Sequence, residues 1–228
     1  MRQLGMFEQA RRIVIRQFVL VSRTPMEIAT PLAFFIMSLL LFPLGFGPSA
    51  QHASSSDSGV IWVVALLASL ISSDRIFRQD FDDGCLDQLL ISPQPIFASA
   101  LAYTFAHWSQ TGLPLAIISP VAAIMFGLSG SVMLILFVSL MIGTFVLSLI
   151  GAIGAALTLG IRKGGVLTAI IILPLYLPVL IFGVAAVEAS QQGALISPAF
   201  LLLLAIASGT IALGPLAIGA ALKISAEA

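Results

Sequence analysis

The chain has 228 residues, of which 59% are hydrophobic and only 9% charged, against about 25% charged in an ordinary soluble domain. Ten Lys and Arg balance ten Asp and Glu, so a basic nucleic-acid-binding surface is excluded, and so is a soluble enzyme. Residues 28–56, 58–73, 88–161, 164–187 and 189–222 carry no charge at all. A membrane helix needs about 20 apolar residues to cross about 30 Å of hydrocarbon. The 88–161 stretch suits two crossings and each of the others one. The fold class that follows is an all-α polytopic membrane protein with six transmembrane helices in one domain, residues 1–228. With six spans all ten Lys and Arg fall on one side, and the positive-inside rule then puts both termini in the cytoplasm.

In chain order, residues 1–27 form an N-terminal amphipathic helix. Phe7, Val14, Phe18 and Val21 share one stripe and Arg12, Arg16 and Arg23 another, the pattern of a helix lying in the headgroup plane. Pro25 and Pro31 then turn the chain into the bilayer. The spans are expected at about 28–46, 59–77, 98–126, 132–159, 165–187 and 198–222. Trp62, early in span 2, suits the outer interface. The uncharged part of that span makes only about 24 Å of helix at 1.5 Å per residue, so it is expected to continue through Asp74–Phe77 with Arg75 snorkelling. Gly127, Ser129, Gly130 and Ser131 make a tight turn between spans 3 and 4.

Three features inside the spans are candidates for function. His107, beside Trp108, sits near mid-depth of span 3, where an ionisable group is a functional candidate. The alternative is a neutral imidazole bonded to a carbonyl of a neighbouring helix. Pro114 and Pro120 in span 3, and Pro174 and Pro178 in span 5, are expected to kink their helices and act as hinges. Thr144, Ser148, Ala152, Ala156 and Gly160 form a small-residue stripe on span 4 that admits a close neighbour, within the chain or across a dimer.

Catalysis finds no support. The Gly127-Leu128-Ser129-Gly130 turn slightly resembles the serine motif of rhomboid proteases, but neither His52 nor His107 is placed to be its base. One Cys and two scattered His do not make a metal site. Cys85, alone and on the reducing side, forms neither a disulfide nor a redox pair. A Gly-x-x-x-x-Gly-Lys-Ser/Thr loop is missing from the sequence, so ATP energy has to enter through a partner.

The cytoplasmic segment between spans 2 and 3 offers the contact. It runs Asp80-Phe81-Asp82-Asp83-Gly84-Cys85-Leu86-Asp87-Gln88-Leu89-Leu90-Ile91-Ser92-Pro93. An acidic turn broken by Gly leads into Leu86, Leu89 and Leu90 at i, i+3 and i+4, stopped by Pro93: a short amphipathic helix. Apolar residues outside a bilayer need cover, which a partner's groove supplies. The segment resembles the acidic-Gly-Thr-Leu-Glu-x-Leu-Leu-x-x-Pro coupling segment of type-2 ABC exporter permeases. Asp83, Gly84, Leu86, Asp87, Leu89, Leu90 and Pro93 match; Cys85 stands where Thr or Ser is usual, and Asp87 replaces Glu.

The resemblance narrows to the cytochrome c maturation protein B family, haem exporter permeases of bacteria and some mitochondria. It is carried by Gly59-Val60-Ile61-Trp62-Val63, the coupling segment, Ala106-His107-Trp108, Gly112-Leu113-Pro114-Leu115 and Ser119-Pro120. Further along, Gly160-x-Arg162-x-Gly164-Gly165-Val166-Leu167, Leu173-Pro174-Leu175 and Pro178-x-Leu180-Ile181-Phe182 continue it in order. The resemblance implies a bacterial inner-membrane permease with a cytoplasmic ABC ATPase, a haem-handling membrane subunit, a small single-span subunit and a periplasmic haem chaperone as partners. Two copies of the chain per complex are expected. Haem is then either cargo along this subunit or held by a partner to which the subunit transmits motion, and the second is favoured because His107 is the one intramembrane His. The other reading is a general type-2 permease exporting a lipid or another hydrophobic substrate.

Overall fold

The computed structural model describes residues 6–46, 55–91, 96–161, 164–194 and 196–227. Among the described residues there are ten helices and no strand. They are α1 (Met6–Arg23), α2 (Met26–Phe46), α3 (Ser55–Ser73), α4 (Arg78–Asp82), α5 (Cys85–Ile91), α6 (Ile96–Gln110), α7 (Gly112–Met125), α8 (Gly130–Leu157), α9 (Gly164–Gln191) and α10 (Pro198–Glu227). Six stretches are long and apolar enough to cross a membrane, and the chain is a multi-pass membrane protein. His52, Pro93, Arg162 and Lys163 lie outside the described residues.

Local chemistry accounts for several boundaries. Ser197 caps α10 by accepting the Phe200 N–H on its hydroxyl at 3.2 Å, and Pro198 takes the first helical position, where a missing N–H costs nothing. Only Thr24 and Pro25 separate α1 from α2. Pro31 and Pro43 lie inside α2 and do not bound it. The expected turn into the bilayer is thus made at Pro25 alone.

Span 3 departs from expectation. It is two helices, not one, broken at Thr111 (φ −118°, ψ −63°). The cause sits three residues downstream: the Pro114 ring excludes the helical approach of the carbonyl four residues earlier, on Gln110. Pro120, by contrast, lies inside an unbroken α7, and Pro174 and Pro178 inside an unbroken α9. Both α9 prolines are exposed on the face opposite buried Tyr176. Span 2, as Ser58–Asp82, covers the expected continuation through Asp74–Phe77, but not as one helix. Its helix stops at Ser73, and residues 74–77 form turns, because Asp74 and Arg75 begin the polar segment.

α8 is the centre of the bundle, packed on α3, α6, α7, α9 and α10. One of its faces carries four of the five residues of the expected small-residue stripe, while Gly160 lies past the end of α8 in an exposed turn with φ +82°. Thr144, Ser148, Ala152 and Ala156 are all buried within the chain, and Ser225 of α10 comes close enough to donate to the Ala156 carbonyl at 2.6 Å. The neighbour admitted by the stripe is therefore intramolecular.

Trp62 corrects another expectation. Its ring is fully buried, not interfacial, and lies in a seat formed by Gly143 of α8 and Gly183 of α9. A Cβ on Gly143 would stand 2.2 Å from Trp62 Cη2, and one on Gly183 2.3 Å from Cζ2. Three spans thus close around one indole because two positions have no side chain. Overpacking a core costs about 1–3 kcal/mol, so Gly183→Ala should lower the melting temperature of the detergent-purified chain. Trp62→Leu in the same chain should recover part of the loss. An unchanged melting temperature for Gly183→Ala would contradict the seat.

Candidate functional site

At one end of the bundle α1, α4, α5 and the start of α6 meet the C-terminal ends of α8 and α10. Ile76, Phe77 and Leu86 form a second core there with Leu159, Ile218 and Leu222. The polar centre of this end is Asp80. Its side chain is 1% exposed, and three donors converge on it. Arg16 Nη2 donates to Oδ1 at 2.6 Å, Gln17 Nε2 donates to Oδ2 at 2.9 Å, and the Tyr103 hydroxyl donates to Oδ2. A carboxylate so deep in the protein persists only when paired and hydrogen-bonded; here the partners come from two helices, α1 and α6.

Burial alone would lower the pKa of the Arg16 guanidinium. The Asp80 charge and hydrogen bond outweigh that, and the net effect is upward from the ordinary arginine value. Stability gained from a raised basic group is fully present below its unfolded value and is lost only above the folded one. The Arg16 guanidinium therefore keeps its charge throughout the working pH range.

Arg16 thus leaves the arginine face expected of this helix and turns inward. Gln9, Ile13, Arg16 and Gln17 face the protein, where Ile13 joins the second core and Gln9 reaches Ser99 of α6. Phe7, Ile15, Phe18 and Val19 are exposed. Sequence periodicity missed Arg16 as an inward residue because it sorted arginines by charge alone. The one signal available was the unmatched Asp80 at the head of the acidic segment.

The coupling segment forms the expected short helix, α5, after a turn at Gly84 with φ +69°. That left-handed conformation is open to glycine at little cost. Leu86 corrects the expectation about its face. It is 3% exposed and packs inside the chain, with Leu89 partly buried against the same core. It therefore holds α5 in place and offers nothing to a partner. Asp82, Asp83 and Gln88 are the exposed side chains there. Of Asp87 and Leu90 only the helical backbone is described.

His107 lies one turn beyond Tyr103 on α6. Its Nε2 stands 3.1 Å from Ser72 Oγ of α3 and 3.5 Å from Thr111 Oγ1, and its Nδ1 3.3 Å from Ser148 Oγ of α8. The hydroxyl protons decide the tautomer. Ser72 already donates to the Ser69 carbonyl and Thr111 to the His107 carbonyl, so Nε2 carries the proton and donates. Ser148 has no other acceptor among the described residues and donates to Nδ1. The imidazole bridges two helices through serine hydroxyls, with the Ser72 backbone of the neighbouring α3 as a further partner. Trp108 is placed similarly, its indole N–H donating to Thr144 Oγ1 at 3.1 Å and its ring edge-on to Phe145.

A polar cleft runs along this side, bounded by Gln17, Glu27, Asp80, Tyr103, His107 and Gln110, with a cavity of about 50 Å³. Pockets for small organic ligands hold about 300–1,000 Å³. The cleft has room for a water or two, not for a macrocycle, and both ring nitrogens of His107 are engaged. Of the candidate residues, then, His107 and Trp108 lie together on α6, Leu86 and Leu89 lie at the base of the same helix, and Pro174 and Pro178 are remote on the outer face of α9. ¹⁵N NMR of the histidine ring should show a protonated Nε2 and a bare, hydrogen-bonded Nδ1, with the signal absent in His107→Gln. The opposite tautomer would contradict the assignment.

Residues 8–225 match the family described as CcmB protein. The chain is 46% identical over 213 residues to heme exporter protein B of Pseudomonas aeruginosa, covering 93% of this chain and 96% of the relative. It is 44% identical over 215 residues to heme exporter protein B of Haemophilus influenzae, covering 94% and 97%. It is 42% identical over 201 residues to that of Escherichia coli K12, covering 88% and 91%. With a family match across nearly its whole length, the chain belongs to the CcmB family.

Proposed function

We propose that this chain is the membrane permease subunit of an ABC-type complex for haem export in cytochrome c biogenesis. It would lie in the bacterial inner membrane with both termini in the cytoplasm. The observation that carries this is the full-length match to proteins named heme exporter protein B. The mechanism rests on the α4–α5 segment. A chain whose sequence lacks a nucleotide-binding loop receives ATP energy through contact, and this segment presents an exposed acidic turn at Asp82–Asp83 on a helix anchored by Leu86. The partner is a cytoplasmic ABC ATPase whose rim carries basic residues opposite that turn. A haem-handling membrane subunit, a small single-span subunit and a periplasmic haem chaperone complete the complex, with two copies of this chain.

The subunit acts as a transmitter and leaves haem to its neighbours. The small cleft and the doubly bonded His107 support this, since a haem ligand needs a free nitrogen lone pair and room for the ring. The clustering of Arg16 and the helix ends of α8 and α10 around one end of the bundle supports placing that end in the cytoplasm.

The test uses Cys85, which is partly exposed on α5. A thiol–amine cross-linker applied to the complex should join it to the ATPase subunit. Asp83→Arg, which reverses the charge of the turn without touching the buried core, should reduce both the cross-link and copurification of the ATPase by about tenfold or more, equivalent to about 1.4 kcal/mol. Cytochrome c levels should fall in step. Full copurification and normal cytochrome c in Asp83→Arg would place the contact elsewhere.

A further inference from the structure

We propose that Asp80 is the joint that carries movement of the cytoplasmic segment into the membrane, with α1, α4–α5 and α6 moving as one lever hinged at Thr111. The proposal rests on the coupling role of the α4–α5 segment.

The two ends of α6 are built differently. At the cytoplasmic end Asp80, two residues before the exposed acidic turn, holds Arg16 and Gln17 of α1 and Tyr103 of α6 on one buried carboxylate. Phe77 stacks against Tyr103 at 5.2 Å, and Leu86 closes the same core. Hydrogen bonds to a charged group are stronger than neutral ones, so displacing α4 without α6 would strip the buried Asp80 carboxylate of its donors. The segment and α6 therefore shift together.

The far end of α6 is held by neutral bonds alone, Trp108 donating to Thr144 of α8 at 3.1 Å among them. His107 reaches α3 and α8 through one serine hydroxyl each, at 3.1 and 3.3 Å. Gln110 is 8% exposed, and its Nε2 has no hydrogen-bond partner among the described residues. The helix breaks at Thr111, and the cavity of about 50 Å³ lies beside this stretch. Neutral, long hydrogen bonds can re-form after a small displacement, and unfilled space lets a helix tilt. Tyr103 and His107 stand four residues apart on one face of α6, so a tilt driven at Tyr103 is felt at the Ser72–His107–Ser148 bridge. α7, beyond the hinge, is free to stay with α8.

The test uses the complete complex with its own ATPase subunit and Cys85→Ser in this chain. Spin labels at Phe105→Cys, on the exposed face of α6, and Ile124→Cys, on the exposed face of α7, report their separation with and without ATP and vanadate. A second labelled pair, Gln88→Cys with Ile124→Cys, follows α5. The proposal expects both pairs to change on ATP addition in the parent complex. In Tyr103→Phe, which keeps the Arg16–Asp80 pair and the fold, ATPase copurification should be unchanged and the α5 change should persist. The α6 change in that variant should fall to less than half, and in Asp80→Asn further still. An α6 change of full size in both variants would overturn the joint while leaving the coupling role intact. A parent complex in which neither pair responds to ATP would overturn the coupling role, and the joint with it.

Discussion

A carboxylate buried to 1% exposure is the constraint around which one end of this molecule is arranged. Asp80 is held by an amphipathic helix, through Arg16 and Gln17, and by a membrane helix, through Tyr103. Removing a buried charge's partner typically costs about 3–5 kcal/mol, so the placement of α1 is decided by Arg16 and Gln17 more than by its apolar face. The consequence is that α1 is part of the tertiary structure and not a topogenic leader alone. Phe7, Phe18 and Val19 remain exposed on its other side, which leaves that face for the bilayer interface.

Elsewhere the bundle is assembled by size and not by charge. Apolar side chains gain little by leaving lipid for one another, so membrane helices associate through close fit and hydrogen bonds. α8 supplies both. Its small residues admit α6 and α10, its glycines receive Trp62 and Ile172, and its Leu147 carbonyl accepts the Tyr176 hydroxyl at 2.8 Å. Hydroxyl bridges such as Ser72–His107–Ser148 tie three spans together without burying a charge. The architecture thus has a rigid, charge-locked end and a neutral interior able to slide by small steps.

The spans were legible because charge spacing and helix length are both one-dimensional properties of the sequence. Gap counting placed all six, and the resemblance carried by the α5 segment and the proline motifs agrees with the CcmB family match. What the sequence did not show were pairings between distant positions. Arg16 and Asp80 are 64 residues apart, and no periodicity within one helix reveals that they meet. Trp62 was misplaced for a similar reason: its ring suits an interface by chemistry, and only the glycines of two other helices make a buried seat. Leu86 shows the same limit, since an amphipathic helix announces that a face is covered but not by what. The break at Thr111 was within reach, because Pro114 excludes the Gln110 carbonyl, and the kink expected of Pro114 is realised as a full break between two helices.

The account stands on the Arg16–Asp80 pair, and a double-mutant cycle measures it directly. Arg16→Met, Asp80→Asn and the double variant would be compared with the parent chain by reversible unfolding in mixed micelles. Arg16 is partly exposed, its side chain at 39%, which moderates the expected coupling to about 1–3 kcal/mol. Within that range, the double variant is less damaged than the two singles together. Effects that add within about 0.5 kcal/mol would contradict the account, because the two residues would then contribute independently and Asp80 would not hold α1 in place.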